Sequence, residues 1–126
     1  MKHYWVIGTS ADTAFKYTAA GVYTGTSFSV ASQTNTPYGI VWDGTFFWVL
    51  ASNGDMYKYS SAGVYTNVAF GTSGMTSPID VAWDGTHFYI SDGALGKVFK
   101  YTTTGGTAVT NYDLSANGVQ AGGITW

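Results

Sequence analysis

The sequence predicts an all-β protein assembled from repeats, and three observations carry that prediction. The triplets Phe15-Lys16-Tyr17, Tyr57-Lys58-Tyr59 and Phe99-Lys100-Tyr101 place successive lysines 42 residues apart. Ile40-Val41-Trp42-Asp43-Gly44-Thr45 returns as Val81-Ala82-Trp83-Asp84-Gly85-Thr86, and Ala19-Ala20-Gly21-Val22-Tyr23 returns as Ser61-Ala62-Gly63-Val64-Tyr65. A fixed period of this size marks a chain of supersecondary units, none of which can bury its apolar face alone. Three such units fill the 126 residues as a single domain.

Within the best-defined unit, four runs alternate with turns. Residues 38–42, 46–51, 55–60 and 64–70 are rich in β-branched and aromatic side chains, so each is expected to be a short strand. Asp43-Gly44 and Asp84-Gly85 join the first strand to the second, as hairpin turns whose central residues are expected at positive φ. Asn53-Gly54 and the stretch Asp92-Gly93-Ala94-Leu95-Gly96 close the second hairpin, and Gly21, Gly63 and Gly105 lie in the third. None of these glycines opens a helical pattern, so they are turn residues rather than phosphate loops.

Composition narrows the function. Aromatic residues make up 17% of the chain, with seventeen glycines and two prolines, which suits an all-β domain. Only 10% of residues are charged, arginine and glutamate are absent, and the formal charge is −2. With no basic patch to neutralise phosphates, nucleic acid is not an expected partner. No run of eighteen apolar residues and no basic-then-apolar leader appears, so neither a membrane span nor a signal peptide is visible and a soluble chain of unassigned compartment is expected. The absence of cysteine excludes disulfides and thiolate metal sites. No metal and no cofactor is expected.

Four-stranded repeats of this length with these turns resemble the blades of a β-propeller. Among propellers the chain most resembles the six-bladed type with short, NHL-like blades, through the inner strand Gly39-Ile40-Val41-Trp42, the second strand Phe47-Trp48-Val49-Leu50 and the third strand Met56-Tyr57-Lys58-Tyr59. The Gly-His and Trp-Asp pattern of WD40 blades is not matched, and neither is the repeated double glycine of kelch blades.

The ends of the chain set the expected assembly. Residues 1–8 align with 44–51, so the chain opens in the second strand of a blade, whereas Gly123-Ile124-Thr125-Trp126 matches the first strand Gly39-Ile40-Val41-Trp42. The expectation is three four-stranded blades per chain and a six-bladed ring completed by a C2 homodimer. In that ring residues 122–126 of each copy supply the strand missing from the blade begun at residue 1 of the other. Closure then falls to Tyr4, Trp5, Val6 and Ile7 on one side and Gly123, Ile124, Thr125 and Trp126 on the other. It would cover two unpaired strand edges and bury more than about 2,000 Å².

Individual side chains are weighed against that frame. The five tryptophans, Trp5, Trp42, Trp48, Trp83 and Trp126, are expected to pack between blades. Lys16, Lys58 and Lys100 are expected to be solvated and near an edge, on the face opposite their aromatic neighbours. His3 and His87 align with Phe46 at the second strand and are too sparse for a metal cluster. Asp43 and Asp84 are expected to serve their turns, and Asp12 and Asp55 to be structural. Asp80 stands out because it replaces Gly39 and Gly123 at the start of the inner strand, where side chains reach a central channel.

Propellers place ligand groups at the loops entering the inner strand and at those between the second and third strands. The resemblance therefore implies Tyr38, Asp80 and Gln120 in the first set and Ser10, Asn53 and Asp92 in the second. The expected function is a self-assembling, non-catalytic binding or scaffold module for a glycan or a protein surface. The alternatives are a metal-dependent hydrolase resembling propeller lactonases, set back by the absence of glutamate, and a purely structural piece of a larger propeller or virion protein.

Overall fold

The computed structural model describes residues 2–118 and 120–126. The first unit contributes β1 (His3–Gly8), β2 (Thr13–Thr18) and β3 (Tyr23–Ser29). The second contributes β4 (Pro37–Trp42), β5 (Phe47–Ala51), β6 (Met56–Tyr59) and β7 (Tyr65–Phe70). The third contributes β8 (Pro78–Trp83), β9 (Phe88–Asp92), β10 (Lys97–Tyr101) and β11 (Thr110–Asp113), with a short 3-10 turn at Ser115–Asn117. Each unit is one antiparallel meander, ordered β1-β2-β3, β4-β5-β6-β7 and β8-β9-β10-β11. Among the described residues the first blade thus has three strands and not four, and one edge of β1 has no strand beside it. Among the described residues no helix is long and apolar enough to cross a membrane.

Alternation along the strands gives every blade two apolar faces, and the blades stack on those faces. One core lies between the first and second blades, where Ala14, Phe28 and Val30 meet Phe47, Val49 and Tyr59. The other lies between the second and third, where Trp48, Leu50 and Met56 meet Val81, Phe88, Ile90, Phe99 and Tyr101. Burial removes the aromatic surface from water, and edge-to-face ring pairs such as Trp48–Phe88, with centroids 5.1 Å apart, fill the space between sheets. Glycine is required in the third hairpin for two reasons. Gly63 and Gly105 sit at φ +77° and +67°, and a Cβ on either would overlap the ring of Phe28 or Phe70 from the preceding blade. The chain is therefore an all-β arc of three propeller blades, with β4 beside β8 and β1 beside β4 along the inner side.

Three sequence expectations are corrected. In the Asp-Gly turns only glycine takes positive φ (Gly44 +102°, Gly85 +100°), whereas the aspartate closes the turn with its side chain. Asp43 Oδ1 accepts the N–H groups of Thr45 and Phe46 at 2.8 and 2.7 Å, and Asp84 does the same for Thr86 and His87. The lysines lie in the interior strands β2, β6 and β10, not near edges. Each ammonium rests on an aromatic ring of the neighbouring strand, most closely Lys58 over Phe46 at 3.9 Å. The tryptophans divide: Trp48 is buried between sheets, while Trp42, at the end of β4, and Trp126 are 42% and 76% exposed.

Phe88, fully buried between the second and third blades, tests this stacking. Phe88→Ala should destabilise the chain by about 3–5 kcal/mol, seen as a lower urea midpoint.

Candidate functional site

The inner side of the arc is built by bulges. The register of β4 against β5 shifts between Pro37 and Gly39, and that of β8 against β9 shifts between Pro78 and Asp80. Two residues then oppose one, and the strand turns so that Asp80 is re-aimed. Its Oδ1 accepts the N–H of Val81 at 2.9 Å and its Oδ2 accepts the N–H of Ile124 at 3.1 Å. The second bond is long-range: it holds the segment 120–126 alongside β8. Ser91 donates its hydroxyl to the carbonyl of Gly122 in the same segment. A Cβ at Gly39 would stand 3.0 Å from Asp80 Oδ1 and one at Gly123 would stand 3.8 Å from Oδ2, so the carboxylate sits between two glycines.

These three inner segments line a cleft of about 280 Å³, with Asp80 in its wall and Trp42, Trp83 and Trp126 at one end. Each indole leans on a ring of its own or the preceding blade. Trp42 and Trp83 lie 4.6 and 4.7 Å from Phe47 and Phe88, and Trp126 stacks on Tyr89 at 5.3 Å and 23°. Beside this rim the turn aspartates are held by hydrogen bonds. Asp43 accepts the Trp48 indole N–H at 2.7 Å and Asp84 the Tyr89 hydroxyl at 3.0 Å. Burial alone would raise the Asp43 carboxyl, but the donors of Phe46, Trp48 and Thr45 outweigh it and hold the group below its ordinary value.

The six residues expected at a site are not brought together. Only Asp80 lines the cleft. Tyr38 is 43% exposed, and Ser10 and Gln120 are exposed. Asn53 is engaged in its own turn, donating to Asp55 Oδ2 at 2.9 Å and accepting the Asp55 N–H at 3.0 Å. Asp92 is buried with both oxygens occupied: Oδ2 accepts Thr76 and Ser77 N–H, and Oδ1 accepts Ala94 and Leu95 N–H. Burial pushes its carboxyl up, yet the four donors prevail and leave it below the usual carboxylate range. Asp92 is a loop-organising group with nothing left to offer a ligand. The residues that sequence reasoning missed are the rim tryptophans. Their signal was present in the recurrence of Trp42, Trp83 and Trp126 at one repeat position, which ends β4 and β8 in the structure. Among the described residues no three histidine or acidic side chains gather as metal ligands.

Because the folded carboxyl of Asp92 is depressed, its contribution to stability is complete above the unfolded value near 3.9 and is lost as pH falls through the folded value. Asp92→Asn should lower stability at pH 7 by on the order of 2 kcal/mol and flatten the loss of stability below about pH 4, measured by urea titrations across pH.

No protein-family model and no curated protein matches the sequence. Solved structures do match. Glutaminyl cyclase from Myxococcus xanthus superposes with a TM-score of 0.74 at 11% identity, covering 92% of this chain and 55% of its own. Virginiamycin B lyase from Staphylococcus aureus gives 0.67 at 15% identity, covering 98% and 41%. A streptogramin B lyase gives 0.62 at 16%, covering 96% and 43%. The chain thus spans about half the length of the structures it matches. These comparisons correct the expectation that the chain is not an enzyme. The cyclase and the lyases are enzymes on this architecture, so a scarcity of titratable residues is no ground for setting catalysis aside. At such identities the likeness establishes the fold: the chain is an arc of a β-propeller.

Proposed function

We propose that this chain is a ring-building binding module: two copies close one six-bladed ring of short, NHL-like blades, and the tryptophan rim of its channel holds a neutral carbohydrate. The observation that carries the ligand class is the set of three indoles, Trp42, Trp83 and Trp126, at one repeat position on successive inner segments around a single cleft. Indole faces stack on the apolar faces of sugar rings, and the adjoining carboxylate and backbone groups accept hydroxyl hydrogen bonds. A cleft of about 280 Å³ lies close to the lower end of small-molecule sites, which run from about 300 to 1,000 Å³. Its wall carries one charged side chain, the carboxylate of Asp80, so a phosphate has no match of charge there.

The ring rests on complementarity of edges. β1 exposes a row of unpaired backbone groups, and the segment 120–126 lies along β8 without a strand partner of its own. Unpaired edges of this kind invite strand addition, and two copies satisfy both at once.

Light scattering should give a particle of twice the 13.4 kDa chain mass, and a monodisperse folded monomer overturns the ring. A glycan array together with tryptophan-fluorescence titration should find a neutral saccharide whose affinity falls about tenfold in Trp42→Ala, equal to about 1.4 kcal/mol. A dimer that binds nothing on the array overturns the carbohydrate assignment and leaves the assembly standing.

A further inference from the structure

We infer that the second copy docks in one specific register, with its Ile124, Thr125 and Trp126 facing Val6, Trp5 and Tyr4 of β1, and with Tyr112 of each chain seated on the partner's Gly21. The inference rests on the two-copy ring proposed above and supplies the contacts that would hold it.

The chain contains its own template twice. Toward the first blade, the second presents Phe47, Val49, Tyr57, Tyr59 and Tyr65. One repeat earlier the same positions are Tyr4, Val6, Phe15, Tyr17 and Tyr23, on the face of the first blade that no sheet of this chain covers. Tyr4, Val6 and Tyr23 are each 45% exposed. These rings already stack on one another, Tyr4 on Tyr17 at 5.6 Å and Tyr17 near Tyr23 at 5.7 Å, so they form an ordered apolar surface. At the far end of the arc the situation is reciprocal. The second blade sends Trp48 and Phe70 into the third, and the equivalents one repeat later are Tyr89 and Tyr112, of which Tyr112 is 47% exposed. The register supports the equivalence: Phe70 faces Met56 across its sheet as Tyr112 faces Val98.

The glycines complete the match. The ring of Phe28 occupies the space a Cβ would take at Gly63, and the ring of Phe70 does the same at Gly105. Gly21 holds the same place in the first repeat at φ +83°, yet its only neighbour is the Tyr4 hydroxyl, 3.9 Å from where a Cβ would be. Two glycine sockets in this chain are filled by the aromatic ring of the preceding blade. The third is open, and the unseated ring in the series is Tyr112.

The strand addition follows the same logic. A groove of about 220 Å³ runs between β1 and β4, lined by Tyr4, Trp5, Trp42 and Phe47, where a first strand would lie in a complete blade. The segment that fits it is already held in place: Asp80 takes the N–H of Ile124, Ser91 bonds Gly122, and Ala121 is buried where Pro37 and Pro78 are buried in the other repeats. Asp80 is thus a positioning residue for the docking strand. Within the chain, Ile40 faces Val49, Val41 faces Trp48 and Trp42 faces Phe47. Carried over by repeat position, that register gives the pairs stated above. Since Ile124 donates its N–H to Asp80, it has none left for β1, so its pair with the partner's Val6 is of the non-hydrogen-bonded kind, with Cα atoms about 4.5 Å apart. Pairs at that spacing accept a disulfide.

The chain has no cysteine, so engineered thiols report cleanly. Val6→Cys with Ile124→Cys should oxidise to an intermolecular disulfide, while the one-residue slips Val6→Cys with Thr125→Cys and Ile7→Cys with Ile124→Cys should give less than a tenth of that yield. Slipped pairs that cross-link as well as the first, in a particle of twofold mass, overturn the register and leave the ring intact; a monomeric mass for the unmodified chain overturns the ring itself. Tyr112→Ala, at a surface position that leaves the monomer folded by circular dichroism, should raise the dimer dissociation constant at least tenfold, and Tyr112→Phe should restore it. An unchanged constant in Tyr112→Ala overturns the seating on Gly21.

Discussion

A propeller blade is apolar on both faces, and that single constraint governs this molecule. Each four-stranded sheet is too thin to hide its own side chains, so its stability comes from the blades on either side. Phe47, Val49 and Tyr59 are buried by the first blade and Trp48, Leu50 and Met56 by the third, so among the described residues the second blade alone is covered on both faces. Its middle strand β5 is buried at every residue, whereas β1, its equivalent at the end of the arc, is nowhere fully buried. The gradient in burial from the centre to the ends of the chain is the direct physical expression of stacking, as in any repeat array where each unit contacts only its neighbours.

With so few charges in the chain, the acidic groups are put to backbone use. Asp43, Asp84, Asp92 and Asp113 each accept N–H groups two or three residues onward; the first three fix turns between neighbouring strands of one blade, and Asp113 fixes the turn that follows β11. Charge-assisted bonds to backbone donors are about twice as strong as neutral ones, so four carboxylates anchor four loops without any ion pair. The lysines complete the pattern from the other side. Lys58 faces Trp48 across β5 and β6, and the same indole donates to Asp43, so an aromatic ring lies between an ammonium and a carboxylate. Tyr89, with Lys100 and Asp84, repeats the arrangement. The second and third blades therefore share a column of interacting side chains that sets the second strand, and the first blade keeps its upper half, Lys16 over Trp5.

Much of the fold was legible in the sequence because period-two alternation and turn chemistry are local signals. The strand ranges of the second repeat match to within a residue, and the glycines at the third hairpins mark real turns. The roles of individual side chains were less legible, since they depend on what the neighbouring blade presents. Asp92 reads as a polar loop residue, yet Thr76 and Ser77, in the loop ahead of β8, reach back to fill its carboxylate. Trp42 and Trp48 read alike as interior aromatics, yet one ends its strand at the rim and the other lies between sheets. Lys58 reads as an exposed charge because its destination, an aromatic ring one strand away, is fixed only by register. Asp80 was singled out for breaking the repeat, and that signal led to a real feature: its carboxylate joins two inner segments and lines the cleft between them.

The break at Asp80 explains why glycine flanks it. Three consecutive inner segments carry Gly39, Asp80 and Gly123 at the same repeat position, and the gap between them admits one side chain, because a Cβ at Gly39 would press on the carboxylate at 3.0 Å. The carboxylate in turn needs two N–H donors from two segments, Val81 and Ile124, to offset its removal from water. A second carboxylate at Gly39 or Gly123 would crowd the first and repel it, while glycine throughout would leave the segment 122–126 without its anchor. One acid between two glycines is the arrangement that satisfies both demands. Divergence of the repeats at this position is then a requirement of packing and electrostatics at the inner wall, and the uniformity of the outer strands follows from their shared task of stacking blade on blade.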